Sequence, residues 1–319
     1  MIKNLARAIL RKLGWRTQQR LLEFRARVLR SSRSWTRRDG DPRFDYSIRE
    51  VRATAKHNSP TLVVDRLLRY QRALGHDIDF AGRSVLELGA GPVLGWALTG
   101  LALGAQRYTV LDPSFNADVI DAMAPYFNDQ RRWLALAFGV VASPRELLDS
   151  DRLQIVRAPG ASSGVPDASV NLILSNSVIE HVLDVDELVA ELDRVSAPGG
   201  VQYHFVDFSD HRAQVDRFTA LYGHHPDEIR ALYKQRGLHV NMLRASDIEA
   251  AFAQRFAVER TVFLANANQP SVRAPAAWWA DHYQRDDLAI EVAAFKLTKP
   301  TLTKTHRTAD LSTSSAHSS

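Results

Sequence analysis

The chain has 319 residues, 45% of them apolar, which is enough for one α/β domain with a large core and appended segments. The absence of cysteine excludes a disulfide framework, a thiolate metal site and a cysteine nucleophile, and is compatible with a reducing cytoplasm. The net charge of +5 hides an asymmetry: residues 1–38 hold 12 Lys/Arg against the single acid Glu23, so the rest of the chain is net acidic.

In the arm of residues 1–38, Ile2, Leu5, Ala6, Ile9, Leu10 and Leu13 recur at helical spacing, with Lys3, Arg7, Arg11 and Lys12 between them. An amphipathic basic helix of this kind suits an anionic membrane surface. A solvated extension, a nucleic-acid arm and a mitochondrial presequence are the alternatives, whereas charges interrupt every apolar run that could serve a secretory signal. Residues 39–59 read as a polar connector. Pro60 opens a helix through Leu74. The pattern then predicts a strand over 83–88, a helix over 95–103, a strand over 108–112 and a helix over 116–127. Further strands are predicted near 153–156 and over 170–175, followed by a helix over 185–195 and a strand over 201–208. Residues 209–245 are His/Arg-rich, show no period and read as an insertion on the substrate side. A helix over 246–256 and strands near 258–264 and over 288–297 complete the series. The segment 265–287 carries Trp278 and Trp279, which would wall a pocket or pack inside. Residues 300–319, rich in Thr, Ser and His, read as a disordered tail. Alternation of strand and helix predicts a doubly wound, mostly parallel sheet of seven strands over residues 60–299, preceded by the basic helical arm.

The glycine-rich turn after the first strand, Glu87-Leu-Gly-Ala-Gly-Pro-Val-Leu-Gly95, has the makings of a nucleoside pocket. Gly89 and Gly91 lack the Cβ that would keep a ligand from the backbone, and the helix beyond directs free N–H groups toward it. Asp112 stands 23 residues after Gly89, where an acid would accept from two ribose hydroxyls. The glycines fall one residue longer than the dinucleotide fingerprint, and no Tyr-x-x-x-Lys pair is present, so a mononucleoside ligand is favoured over a nicotinamide dinucleotide.

Together with the segments Ser175-Asn-Ser-Val-Ile-Glu-His-Val182, His204-Phe-Val-Asp-Phe-Ser-Asp-His211 and Asn241-Met-Leu-Arg-Ala-Ser-Asp-Ile-Glu-Ala-Ala-Phe252, this turn resembles the class I S-adenosylmethionine-dependent methyltransferases over roughly residues 60–300. Within that superfamily the four segments are similar to type 11-like bacterial methyltransferases of sugar and cell-surface glycan synthesis. The resemblance implies a Rossmann-like methyltransferase fold with S-adenosylmethionine as cofactor. It implies that Glu87, Gly89, Ala90, Gly91 and Gly95 hold the amino-acid end, that Asp112 holds the ribose, and that Pro113 and a residue near Ala158 lie by the adenine. Ser175 and Asn176 would close the cofactor side.

Methyl transfer to a sugar hydroxyl requires a base, and His181, His204 and His211 are the candidates, with Asp207 and Asp210 available to orient one of them or bind a cation. Each has a bland alternative: a lone His in an apolar strand is most often a core residue, and the two aspartates suit caps or turns. Glu180 equally suits the N-terminus of the following helix. The types His204, Asp207, Asp210 and His211 could hold a divalent ion, yet strand alternation sends His204 and Asp207 to opposite faces. Quinone-biosynthesis methyltransferases place a Glu where this chain has Ser177, which weakens a metal site of that kind. Methyltransferases of small lipid or quinone-like acceptors and a non-catalytic binding protein are the rivals. A nucleic-acid partner is not expected, because the domain outside the arm is acidic and lacks an Asn/Asp-Pro-Pro-aromatic segment.

Overall fold

A computed structural model describes residues 60–113, 124–141, 143–210, 218–235 and 239–301. The basic arm, the connector and the Ser/Thr-rich tail therefore lie outside the described residues, as does His211. The first helix, α1 (Pro60–Leu74), leads into β1 (Ser84–Leu88), α2 (Ala97–Ala102) and β2 (Arg107–Leu111). Then come α3 (Ala124–Phe138), α4 (Pro144–Leu148), β3 (Leu153–Val156), β4 (Val170–Asn176), α5 (Val185–Val195) and β5 (Ser196–Asp207). The C-terminal part comprises α6 (Thr219–Tyr222), α7 (Pro226–Lys234), α8 (Ala245–Ala253), β6 (Ala257–Ala265), α9 (Pro270–Arg273), α10 (Ala277–His282), α11 (Arg285–Leu288) and β7 (Ile290–Thr298).

The seven strands form one sheet in the order β3-β2-β1-β4-β5-β7-β6. The first five strands are parallel, whereas β7 runs antiparallel to both β5 and β6. Strand order reverses between β1 and β4, so the helices leaving these two strands cover opposite faces and leave a crevice at their carboxyl ends. Alternation along the strands sorts the core. Val85, Tyr108, Leu174 and Phe205 pack under α1 and α2, while Leu86, Ile173 and Val206 pack under α5 and α8. A third cluster, with Phe218, Tyr222, Ile229, Tyr233 and Trp279 among its members, lies apart from both and is drawn mainly from the two segments read as substrate-side insertions, with Leu288 and Ala289 beyond them.

Local chemistry accounts for where elements begin. Helix α5 starts at Asp184, whose side chain accepts from Glu187 N at 2.9 Å, and it buries Val185, Leu188, Val189, Leu192 and Val195 at helical spacing. Helix α2 begins at Ala97, later than predicted, because Leu94 (φ +59°) and Gly95 (φ +48°) are left-handed and interrupt the helical path. Of the helix predicted over 116–127, only 124–127 lie among the described residues, where they open the longer helix Ala124–Phe138. Strand β5 starts five residues before its predicted start, running through Pro198-Gly199-Gly200. Residues 209–245 are not wholly irregular: they contain α6 and α7, the latter opened by His225, whose ring accepts from Asp227 N at 3.3 Å.

Candidate active site

Leu88, Leu111, Asn176 and Asp207 end β1, β2, β4 and β5, and since these four strands are parallel their following residues share one edge of the sheet. The glycine turn occupies the middle of that edge. Gly89 N donates to Leu111 O at 2.8 Å, and a Cβ at Gly89 would stand 2.5 Å from Val178 Cγ2, so the turn is pressed against the segment after β4. Gly89 (φ +60°) and Gly91 (φ +66°) both hold the left-handed backbone that glycine tolerates. Space beside Gly91 is open, and its N–H donates to Asp112 Oδ2 at 2.9 Å. Asp112, only 7% exposed, thus already holds the turn by one carboxylate oxygen, and its own N–H donates to Val156 O at 3.1 Å. A glycine turn with an open flank, next to an acid at the end of the second strand, fits the amino-acid and ribose ends of S-adenosylmethionine.

Glu87 sits beneath this turn. Its oxygens accept from Trp96 N at 3.0 and 3.1 Å and from the Tyr108 hydroxyl at 2.6 Å, and a Cβ on Gly95 would fall 2.0 Å from Oε1. Burial pushes its carboxyl up to about 8, against the lowering effect of the Tyr108 and Trp96 hydrogen bonds, and the Asp112 charge adds to the rise. Glu87 and Gly95 therefore brace the turn from inside. Ala90 is buried in the turn, and Pro113 is exposed just past β2.

The second half of the edge comes from β4 and β5. Asn176 is half-buried and its Oδ1 accepts from the Tyr70 hydroxyl at 2.7 Å. Ser175 faces the other way: it is fully buried, and its hydroxyl meets His204 Nδ1 at 2.8 Å, so neither of these two predicted site residues reaches the edge. His204 continues into a buried chain of neutral partners. Its Nε2 lies 2.9 Å from Gln202 Oε1, Gln202 Nε2 donates to Ser196 Oγ at 3.0 Å, and Ser196 donates to Leu192 O at 2.6 Å. Burial pushes the imidazole down to about 3. A ring that stays neutral, is 0% exposed and has both nitrogens engaged is a core residue, and its expected part as a base is withdrawn.

His181 is placed differently. It is exposed, in a short turn (Ile179–His181) after β4, and its Nδ1 lies 2.6 Å from the backbone carbonyl of His239. A carbonyl only accepts, so in the neutral ring the proton sits on Nδ1 and the basic lone pair on Nε2. The preceding Glu180 is 3% exposed, and its Oε1 lies 3.4 Å from Asp207 N. Burial, reinforced by the Asp207 charge, holds its carboxyl well above the usual range, while backbone hydrogen bonds oppose the rise. Asp207 Oδ1 accepts from Ser209 N at 2.9 Å and Ser209 Oγ at 2.5 Å. Asp210, 2% exposed, accepts from the Tyr233 hydroxyl at 2.6 Å and so ties the segment after β5 to α7. Asp207 and Asp210 thus carry turn and cap contacts, and among the described residues no group of three or more His, Asp or Glu is arranged to hold a metal ion.

Two residues of the site were not singled out from sequence. Tyr70 shares a helical face with Val63 and Leu67, a spacing that signals core and conceals a polar tip at the edge. Arg244, 2% exposed, has its guanidinium 5.3 Å from the Phe208 ring centre and 5.7 Å from those of Tyr222 and Trp279, and it donates to Phe208 O and the Tyr222 hydroxyl, both at 2.9 Å. Of the tryptophan pair, Trp279 is buried and donates to His224 O at 2.8 Å, while Trp278 is half-exposed with His282 stacked on it.

Residues 56–255 match the family described as a methyltransferase domain. An uncharacterized methyltransferase of Mycobacterium avium (strain 104) is 32% identical over 127 residues, 40% of this chain and 40% of that protein. A second, from Mycobacterium sp. (strain KMS), is 34% identical over 107 residues, 28% of this chain and 42% of the relative. The chain spans about two fifths of the length of these curated relatives. Among solved structures, an S-adenosylmethionine-dependent methyltransferase from Mesorhizobium loti aligns over 74% of this chain and 100% of its own, at 15% identity and a TM-score of 0.45.

Proposed function

We propose that this chain, a member of the methyltransferase-domain family, takes a methyl group from S-adenosylmethionine and transfers it to a hydroxyl of a sugar in a cell-surface glycan or its lipid-linked precursor. The observation that carries this reading is the placement of His181 at the sheet edge with its Nδ1 on the His239 carbonyl, which leaves Nε2 as the basic nitrogen. The bound donor supplies an electrophilic methyl on a sulfonium. The acceptor hydroxyl oxygen forms the new bond to that methyl carbon as the carbon–sulfur bond breaks, and His181 Nε2 takes the hydroxyl proton. The protein's larger contribution is positioning. The glycine turn and Asp112 hold the donor, and Asn176 closes its side. The basic arm of residues 1–38 places the enzyme at an anionic membrane face, and its lipid-linked acceptor there with it.

One preparation and three variants test the reading. Wild-type protein binds S-adenosylhomocysteine by calorimetry, and Asp112→Ala weakens that binding at least about tenfold. His181→Ala binds it normally but transfers a labelled methyl group to a polysaccharide fraction about a hundredfold more slowly. A chain lacking residues 1–38 keeps donor binding and no longer sediments with anionic vesicles. Normal turnover by His181→Ala discards the base, label entering only a lipid extract moves the acceptor to a small lipid or quinone-like molecule, and unchanged sedimentation discards the membrane placement.

A further inference from the structure

Helix α1 reaches both halves of the site through groups that none of the four sequence segments contains. At one end Trp96, directly after the glycine turn, donates from Nε1 to Val63 O at 3.0 Å. Two turns along, the Tyr70 hydroxyl donates to Asn176 Oδ1 at 2.7 Å. One helix therefore ties the exit of the donor turn to the end of β4.

We infer that Tyr70 is a positioning residue that fixes the side-chain amide of Asn176 in the orientation the donor requires. The inference rests on the reading of Asn176 as a donor-side residue. An asparagine amide has an accepting and a donating end, and torsion about its last bond is soft, so only its partners decide which end faces a ligand. The Tyr70 hydroxyl engages Oδ1, which turns the two Nδ2 hydrogens away from the helix. The phenol is well suited to hold that choice. Its ring stacks on Phe205 with centres 3.7 Å apart and planes 5° from parallel, lies 5.3 Å from Phe263, and meets Trp96 edge-on at 6.0 Å. Burial pushes the phenol up to about 12, offset in part by Arg66, with Asp207 and Glu180 adding to the rise, so it remains a proton donor throughout the neutral range. A phenyl ring at position 70 would keep every stacking contact and lose only the hydroxyl.

The test is a double-mutant cycle read by calorimetric titration with S-adenosylhomocysteine. Tyr70→Phe weakens binding about 3- to 10-fold, the worth of one hydrogen bond, and leaves the thermal midpoint within about 2 °C of wild type. Asn176→Ala weakens binding at least as much, and the double variant is no weaker than Asn176→Ala alone, because Tyr70 acts through the amide. Asn176→Asp, which keeps an acceptor for Tyr70 and removes the Nδ2 hydrogens, binds as poorly as Asn176→Ala and serves in its place if the alanine variant does not fold. Wild-type affinity in Tyr70→Phe, or effects that multiply in the double variant, overturns the inference while leaving Asn176 a donor residue. Wild-type affinity in Asn176→Ala or Asn176→Asp overturns the donor-side reading of Asn176 and the inference with it.

Discussion

The donor turn and the C-terminal cap are built on different principles. The turn depends on backbone: left-handed Gly89, Gly91, Leu94 and Gly95, amides that donate to Asp112 and Glu87, and almost no space to spare at Gly89 or Gly95. The cap depends on dispersed side chains. Arg244 sits among three aromatic rings, the Tyr222 hydroxyl donates to Leu288 O at 2.8 Å, Trp279 Nε1 to His224 O at 2.8 Å, and Tyr233 to Asp210 at 2.6 Å. A turn held through its backbone leaves little freedom to its sequence. A cap held by dispersed side chains leaves more freedom to its sequence, and the two regions share few groups.

The sharpest way to break the first half of that contrast is Gly95→Ala. The new Cβ would meet Glu87 Oε1 at 2.0 Å in a backbone of φ +48°, so Glu87 must withdraw from Trp96 and Tyr108. Overpacking, left-handed strain and the lost hydrogen bonds together cost about 3–5 kcal/mol, seen as a fall of about 10 °C in thermal midpoint. A fall below 2 °C would show that the turn is softer than its geometry says. Arg244→Ala tests the second half. Losing the guanidinium, its aromatic contacts and its two hydrogen bonds destabilises by about 2–4 kcal/mol, with faster proteolysis confined to residues 218–289 and S-adenosylhomocysteine affinity within about twofold of wild type. Equal loss of donor binding would mean that cap and turn are one energetic unit.

A third test is a pH slope. The Glu87 carboxyl titrates near its ordinary value in the unfolded chain and at about 8 in the folded one, so between about pH 5 and 8 the folded state binds more protons. Its contribution is complete at low pH and is lost as pH rises toward 8. Glu87→Gln removes this titration, so its thermal midpoint relative to wild type climbs across that window. The raised Glu180 and the lowered His204 are present in both proteins and cancel in the difference. A difference that stays flat from pH 5 to 8 would show that water reaches Glu87.

Much of the donor half was legible in the sequence because it is local. Glycines at fixed spacing, an acid at each of two strand ends and alternating strand and helix are short-range signals, and they placed all seven strands within a few residues. The candidate histidines were not separable in this way. His181 and His204 look alike as letters, and only strand alternation and packing put one at the edge and the other against Phe252, whose ring centre is 5.1 Å away. Ser175 and Asn176 are neighbours in sequence, yet alternation turns the first inward to His204 and the second toward Tyr70.

By itself, then, the sequence determined the doubly wound order and the glycine turn, since periodicity and backbone freedom act over a few residues. The tertiary structure alone decided what Tyr70, Glu180 and Arg244 do. Their partners lie 106, 27, and 22 to 36 residues away, and burial is a property of what packs over a side chain, which no local pattern carries.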